Sequence, residues 1–158
     1  MMISMKKITS IFLICLLCAS LTGCGTVYED TNGSDDYSLQ TITDENIINL
    51  ETGASGLTHK ESNIAGFTSE EYYSDNFNGV ERLFQTNYIL PSDVEIYVSY
   101  VTVDSGNFRM VVINDDEIIH EFAPDTFNET VRFENLKGSF AIHVAGESAD
   151  FEMDYDIY

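Results

Sequence analysis

Two histidines lie on stretches of alternating apolar and polar residues, where their side chains could bind zinc. His120 and His143, together with Glu121, supply the imidazole and carboxylate groups that Zn²⁺ takes as ligands. Nothing in their spacing brings the three together, and His120 shares one side of its predicted strand with Ile118 and Phe122. A histidine on such an apolar side packs into a core more often than it binds metal. We therefore predict no metal site.

Carboxylates line one side of the last predicted strand. Glu152, Asp154 and Asp156 alternate there with apolar residues. Successive positions on one face lie about 6.6–7 Å apart, which is further than two carboxylates sharing a Ca²⁺ would prefer. We interpret the stripe as a solvated sheet edge that opposes aggregation.

Catalytic signatures are missing from the sequence. It contains neither Gly-x-Ser-x-Gly nor His-Glu-x-x-His. A glycosidase needs two positioned carboxylates, but among 27 acidic residues chance pairs carry no information. We predict no catalytic residues, no cofactor and no enzymatic activity.

Aromatic residues concentrate between positions 72 and 100, where exposed rings could stack on sugars or peptides. The set comprises Tyr72, Tyr73, Phe77, Tyr88, Tyr97 and Tyr100. Alternation puts Tyr100 on the same side of its strand as Val98, which predicts a core position. It puts Tyr97 on the other side, together with Val101.

The elements that must position these groups are short strands. Alternating patterns with turn residues between them predict one antiparallel β-sandwich of approximately seven strands, an all-β fold. The predicted strands are 80–86, 94–103, 108–113, 117–122, 130–134, 139–145 and 151–157. Residues 104–107, 114–116 and 146–148 have the chemistry of hairpin turns.

Two predicted strands, 94–103 and 108–113, carry apolar residues on both sides. One side is predicted to meet the opposing sheet through Val94, Ile96, Val98, Phe108, Met110 and Val112. The other side needs a cover, either residues 72–77 or a partner. The candidate binding face comprises Tyr97, Val101, Val111, Ile113, Tyr72 and Tyr73.

The N-terminus reads as a secretory signal. Lys6 and Lys7 precede an apolar run over residues 8–19, which is too short for a membrane span of roughly 20 residues. The run ends in Leu21-Thr22-Gly23-Cys24, which resembles the lipobox of bacterial lipoproteins. The resemblance implies that residues 1–23 are removed, and that Cys24 receives a diacylglyceryl group and anchors the chain in the membrane, facing outside the cytoplasm.

Charge excludes one class of partner. The chain has 27 acidic and 7 basic residues, a net charge of −20, and removal of Lys6 and Lys7 makes it −22. A binder of nucleic acid needs a basic surface, so we predict no nucleic-acid partner.

Of the three cysteines, Cys15 and Cys18 lie in the signal and Cys24 is the lipid site, so the mature protein has no disulfide.

The mature chain divides into two parts. Residues 24–66 are acidic and rich in Gly, Ser, Thr and Asn, which predicts a flexible linker. Within it, 42–50 has the spacing of either a short helix capped by Thr43 or an added strand. Residues 67–158 hold every predicted strand, and we expect them to fold alone.

Four short motifs in the strand region suggest a relative. Val98-Ser99-Tyr100, Ser105-Gly106-Asn107, Phe140-Ala141-Ile142 and Phe151-Glu152-Met153 resemble segments of small β-sandwich domains in uncharacterised lipoproteins of Gram-positive bacteria. The resemblance covers residues 78–157 and implies a sandwich fold but no activity.

Three hypotheses of function remain open at this point. The first is a noncatalytic, membrane-anchored β-sandwich that binds an unknown protein or glycan at the cell envelope. The second is a structural envelope protein that self-associates. The third is an envelope hydrolase, which would need a cleft with paired carboxylates.

Overall fold

A computed structural model describes residues 39–64 and 67–158, most of which lie in β-strands. The elements are helix α1 (Asp44–Asn49) and strands β1 (Thr58–Ile64), β2 (Phe67–Asn114), β3 (Glu117–Phe122) and β4 (Thr126–Ile157). β2 pairs with β1, β3 and β4, always antiparallel. The predicted all-β class is confirmed. The predicted signal peptide and Cys24 lie outside the described residues.

All seven predicted strand segments lie in strands, and the structure joins six of them into β2 and β4. β4 pairs with β2 over several stretches because two parts of β4 each lie between two parts of β2. Residues 150–155 pair with 70–74 on one side and with 98–105 on the other. Residues 140–146 pair in the same way with 79–86 and with 108–114.

Two of the three predicted hairpins are wrong. The segments joined by 104–107 both pair with β4 instead of with each other, and those joined by 146–148 both pair with β2. Ser105 lies opposite Asp150, so the two predicted turns run side by side. Gly106 has φ +75°, and a Cβ there would lie 2.2 Å from the Ser148 carbonyl oxygen. Turn chemistry marks such a bend but does not determine which strands pair. The predicted turn at 114–116 does join β2 to β3.

The main core contains the apolar residues that we predicted to meet the opposing sheet. Val94, Ile96, Val98, Phe108, Met110 and Val112 are all buried in one cluster. The alternating residues of β4 join them, among them Phe140, Ile142, Phe151 and Met153. The predicted inward facing of these six residues and of the named residues of β4 is confirmed.

Partway along residues 94–103 a β-bulge changes which of the alternating side chains point into the core. Val98 lies opposite Tyr155 but Tyr100 lies opposite Asp154, so Ser99 is the extra residue in this register. Beyond the bulge Val101 is buried in the main core, whereas Tyr100 is only half-buried. The predicted positions of Val101 and Tyr100 were therefore exchanged, because strict alternation assumes a strand without bulges.

Helix α1 covers the second face of the sheet. Ile42 and Ile47 are buried in a second cluster together with Val80, Val111, Ile113 and Ala145. The prediction that residues 72–77 cover this face is wrong, since Tyr72 and Phe77 belong to the main core. The predicted linker also ends too late, because α1 and β1 lie within residues 24–66. The sequence marked 42–50 as a helix or a strand within the linker, but its packing against the sheet was not predicted.

The helix is short, and its ends are held by side chains. Thr43 caps it, with Thr43 Oγ1 accepting from the Asn46 amide and Asn46 Oδ1 accepting from the Thr43 amide. Arg109 donates to Asp44 at 2.6 Å and to Glu121 at 2.7 Å. His143 Nδ1 donates to the carbonyl of Ile47 at 2.8 Å. Of the two alternatives left open for residues 42–50, the helix is present.

Glu147 holds the segment that leads into α1. Its carboxylate accepts from the Gln40 amide at 2.7 Å, and from the Thr41 amide and hydroxyl at 2.6 Å each. The Ile42 amide and Asn107 Nδ2 donate to it as well. Desolvation raises the pKa of this carboxyl, but the hydrogen bonds from Gln40, Thr41 and Asn107 outweigh it and lower the pKa to about 2.

We expect Glu147→Gln to lower the free energy of unfolding by about 2 kcal/mol at pH 7, since charged hydrogen bonds are lost. The folded pKa of Glu147 lies below its unfolded value, so this contribution is present above about pH 4.5 and is lost as the pH falls toward about 2. Urea denaturation of both proteins at pH 7 and pH 2.5 measures it. Glu117→Gln, at an exposed position, is the control. An equal effect of Glu147→Gln at both pH values would contradict this assignment.

Candidate functional site

The six residues of the predicted binding face do not lie together. Val111 and Ile113 are covered by α1, and Val101 is in the main core. Tyr72 is buried, and its ring stacks on His59 at a centroid distance of 4.5 Å. Only Tyr73 and Tyr97 remain accessible.

The predicted zinc ligands are likewise separate. His143 is buried against Ile47, and Glu121 is paired with Arg109. His120 lies 3.8 Å from Glu129, with its ring against Phe122. Within residues 39–64 and 67–158 no group of three or more His, Cys, Asp or Glu side chains could hold a metal ion.

The carboxylate stripe is not at a sheet edge as predicted. The part of β4 that carries Glu152 and Asp154 lies between two parts of β2, with residues 70–74 on one side and 98–105 on the other. The stripe therefore runs along the middle of a broad surface. Its position could not be read from sequence because strand order depends on long-range pairing.

Aromatic rings flank this stripe on both sides. We call the surface the aromatic–acidic face. It consists of Tyr73, Tyr97, Tyr100, Phe127, Glu71, Glu152 and Asp154.

Cross-strand pairing determines the arrangement of the face. Tyr73 lies opposite Glu152, and Glu71 lies opposite Asp154. On the other side of the stripe Tyr100 also lies opposite Asp154. Directly opposed residues project to the same side of a sheet, so these five side chains share one surface.

The outer part of the face adds two more rings. Phe127 lies opposite Tyr100, and its side chain is 60% exposed. Tyr97 is half-buried, and its hydroxyl donates to Asn128 Oδ1 at 2.7 Å, which fixes the ring. Tyr73 is 38% exposed. The face therefore offers four accessible rings on neighbouring strands.

The electrostatics of the face are negative around Tyr100. Burial raises the pKa of the Tyr100 hydroxyl, and the charges of Glu71, Asp154 and Glu152 raise it further. Asp154 accepts from Ser99 Oγ at 2.7 Å, and Lys60 donates to Glu71 at 3.0 Å. These contacts hold Asp154 between the rings and Glu71 beside Tyr73.

Such a surface can stack on flat apolar ligand faces and accept hydrogen bonds beside them.

Sequence reasoning found Tyr73 and Tyr97 but assigned Tyr100 to the core, because it assumed strict alternation and did not foresee the bulge. It missed Phe127, which precedes the predicted strand 130–134. The sequence signalled Phe127 only as an aromatic residue beside an asparagine. In the structure Asn128 has a φ of +52°, which marks a local irregularity of the strand.

In the described part of the chain, no helix has the length and apolar character needed to cross a membrane. No model of a known protein family matches the sequence, and no curated protein matches it.

Proposed function

We propose that this protein is a noncatalytic lipoprotein whose β domain binds a glycan through the aromatic–acidic face. The observation that carries the proposal is the placement of four accessible rings on both sides of one stretch of β4, with Glu152 and Asp154 between them and Glu71 beside Tyr73. Sugar rings present an apolar C–H face that fits flat on an aromatic ring, and their hydroxyls donate to carboxylates.

We further propose that β2 and β4 form two stacked layers, as in a β-sandwich. One series of paired stretches runs through 70–77, 149–157, 94–105 and 126–133, and the other through 79–88, 138–147, 107–114 and 117–122. Both series contribute apolar side chains to the same main core. That common core supports layers packed face to face.

A glycan fits the face better than an apolar protein partner. Interfaces with proteins are depleted of Glu and Asp at their centre. Here Glu152 and Asp154 occupy the middle of the surface, between Tyr73 and Tyr100. Hydroxyl-rich ligands satisfy such acceptors, whereas an apolar partner would desolvate them without compensation.

We expect Tyr100→Ala to weaken glycan binding about tenfold, because one aromatic stacking contact contributes about 1–1.5 kcal/mol. Tyr100→Phe keeps the ring and should change the affinity by less than about threefold. Isothermal titration with chitotetraose, cellotetraose and solubilised peptidoglycan fragments measures the dissociation constants. Ile89→Ala, an exposed apolar residue outside the face, is the control. Equal affinity of Tyr100→Ala and the unchanged protein, or no binding to any of the three, would refute the proposal.

The proposed anchor predicts a separate result. Because Leu21-Thr22-Gly23-Cys24 resembles a lipobox, we expect the mature protein to begin at a lipidated Cys24, and Cys24→Ala to release it from the membrane. Mass spectrometry of the mature N-terminus and fractionation of cells test this. An unmodified Cys24, or cleavage at another position, would contradict it.

A further inference from the structure

One histidine is buried beneath the short helix that covers the second cluster. His143 is 3% exposed and lies on β4 between Arg82 and Val111, the residues opposite it on two parts of β2. Its Nδ1 lies 2.8 Å from the carbonyl oxygen of Ile47. Because a carbonyl oxygen can only accept a hydrogen bond, Nδ1 carries a proton. This carbonyl is among the last four of α1, which have no partner within a helix. His143 therefore fastens the end of α1 to the sheet.

The other ring nitrogen of His143 is buried without a hydrogen bond. Within the described residues 39–64 and 67–158, no donor or acceptor lies within bonding distance of Nε2. In the neutral ring this nitrogen is an unused acceptor. Protonation would convert it into a buried N–H donor and would add a full charge to the ring. A buried, unpaired charge costs far more than a buried neutral acceptor, so the docked helix favours the neutral ring.

The charges of β2 beside His143 do not change this preference. Arg82 lies directly opposite the ring, and its charge opposes protonation. Glu81 acts in the other direction, as does the hydrogen bond to the Ile47 carbonyl. Burial has the largest effect, and the pKa of His143 is lowered as a result from its usual value of about 6.5.

The remaining charged contacts of α1 persist when the solution becomes mildly acidic. Asp44 of α1 and Glu121 of β3 both bind Arg109, and their hydrogen bonds raise the pKa of the guanidinium, which stays charged. Glu45, the other charged residue of α1, is exposed. Glu147 holds the segment before the helix, and its pKa of about 2 keeps it ionised. An effect of mild acid on α1 therefore has its origin at the buried histidine.

We propose that α1 is an acid-sensitive cover of the second cluster. Protonation of His143 favours release of the helix from the sheet, because the charged imidazole gains water when α1 moves away. Release uncovers the apolar side chains of Val80, Val111 and Ile113. The glycan proposal is independent of this device, since neither His143 nor α1 belongs to the aromatic–acidic face.

Linkage gives the direction and size of the effect. With α1 released, the pKa of His143 returns to about 6.5, which is higher than its value beneath the helix. The contribution of His143 to docking of α1 is therefore complete above about pH 6.5 and is lost as the pH falls below that value. Between pH 7.5 and pH 5.5 the released population should rise by as much as about tenfold.

Hydrogen exchange of the full chain, followed by NMR at pH 7.5 and pH 5.5, measures this release. The reporters are the amides of Ile47 and Glu51, which donate to the carbonyls of Thr43 and Asn46. After correction for the intrinsic pH dependence of exchange, we expect both to exchange about tenfold faster at pH 5.5. Amides of residues 98–105 should keep their rates. Unchanged rates at Ile47 and Glu51, or equal acceleration in 98–105, would overturn the proposal.

Two histidine variants locate the effect. His143→Gln cannot take up a proton, yet its amide can still donate to the Ile47 carbonyl, so the acceleration at pH 5.5 should disappear. His120→Gln is the matched control, because the His120 ring lies against Phe122 of the main core and not beneath α1. It should keep the acceleration. Acceleration that persists in His143→Gln overturns the proposal.

Titration of the His143 ring in the unchanged protein decides the matter if His143→Gln fails to fold. The Cε1 proton is followed by NMR across the same pH range. A midpoint below about 6.5 supports the proposal, since it shows that the docked helix opposes protonation. A midpoint at or above about 6.5 overturns it.

Discussion

Phe151→Ala should lower the free energy of unfolding by about 3–5 kcal/mol, the cost of truncating a buried aromatic side chain. Phe151 is 1% exposed, and its ring lies 4.1 Å from that of Phe108 and 5.7 Å from that of Phe77 between centroids. These rings come from distant parts of the chain, so the cavity would open at a junction of β2 and β4. Urea denaturation followed by circular dichroism measures the loss.

Phe127→Ala provides the matched control, since it removes the same atoms from a side chain that is 60% exposed. We expect a change within about 0.5 kcal/mol. If the glycan proposal holds, Phe127→Ala should weaken glycan binding even though it leaves stability unchanged. Comparable destabilisation by the two substitutions would show that the main core is not packed as described.

Ile47→Ala should lower the free energy of unfolding by about 2–5 kcal/mol. Ile47 is 0% exposed, is the buried residue of α1, and belongs to the same cluster as Val111, Ile113 and Ala145. Its carbonyl also accepts from His143, which positions the helix. Thermal and urea denaturation monitored by circular dichroism give the stability difference.

Ile89→Ala is the control, because Ile89 is 83% exposed and the substitution is the same. It should change stability by no more than about 0.5 kcal/mol. If Ile47→Ala also left the free energy of unfolding unchanged, α1 would contribute nothing to the stability of the domain. Residues 39–50 would then behave as part of the predicted linker.

The packing of α1 changes the expectation for a shortened chain. A fragment that begins at residue 67 lacks both α1 and β1 and leaves Val80, Val111 and Ile113 uncovered. We therefore expect residues 67–158 to be less stable than 39–158 by at least the cost of Ile47→Ala. The original prediction of independent folding treated residues 24–66 as a passive spacer.

Much of the candidate site follows from local sequence. Alternation over 151–157 correctly placed Phe151 and Met153 inside and Glu152 and Asp154 outside. This succeeds because successive side chains of a strand point to opposite faces, a property of the backbone that needs no partner. The ring of Tyr97 was placed outward for the same reason, whereas Tyr73 was named only as part of the aromatic segment 72–77.

The remaining features of the candidate site depended on contacts between residues far apart in the chain. The bulge at Ser99 turned Tyr100 outward, and its extra residue is visible only from the pairing with β4. Phe127 joined the site because it lies opposite Tyr100, although the two are distant in sequence. Local propensity carries no information about such pairings, since many registers satisfy the same alternation.

Residue patterns along the chain were enough to predict the all-β class, the inward and outward sides of most strands, and most apolar residues of the main core. The pairing of distant segments was needed to place parts of β4 between parts of β2, to put α1 over Val111 and Ile113, and to bring rings and carboxylates onto one face. The difference lies in the range of the interactions. Side-chain alternation is set residue by residue along the backbone, whereas strand order and the choice of cover depend on which distant apolar surfaces bury one another best.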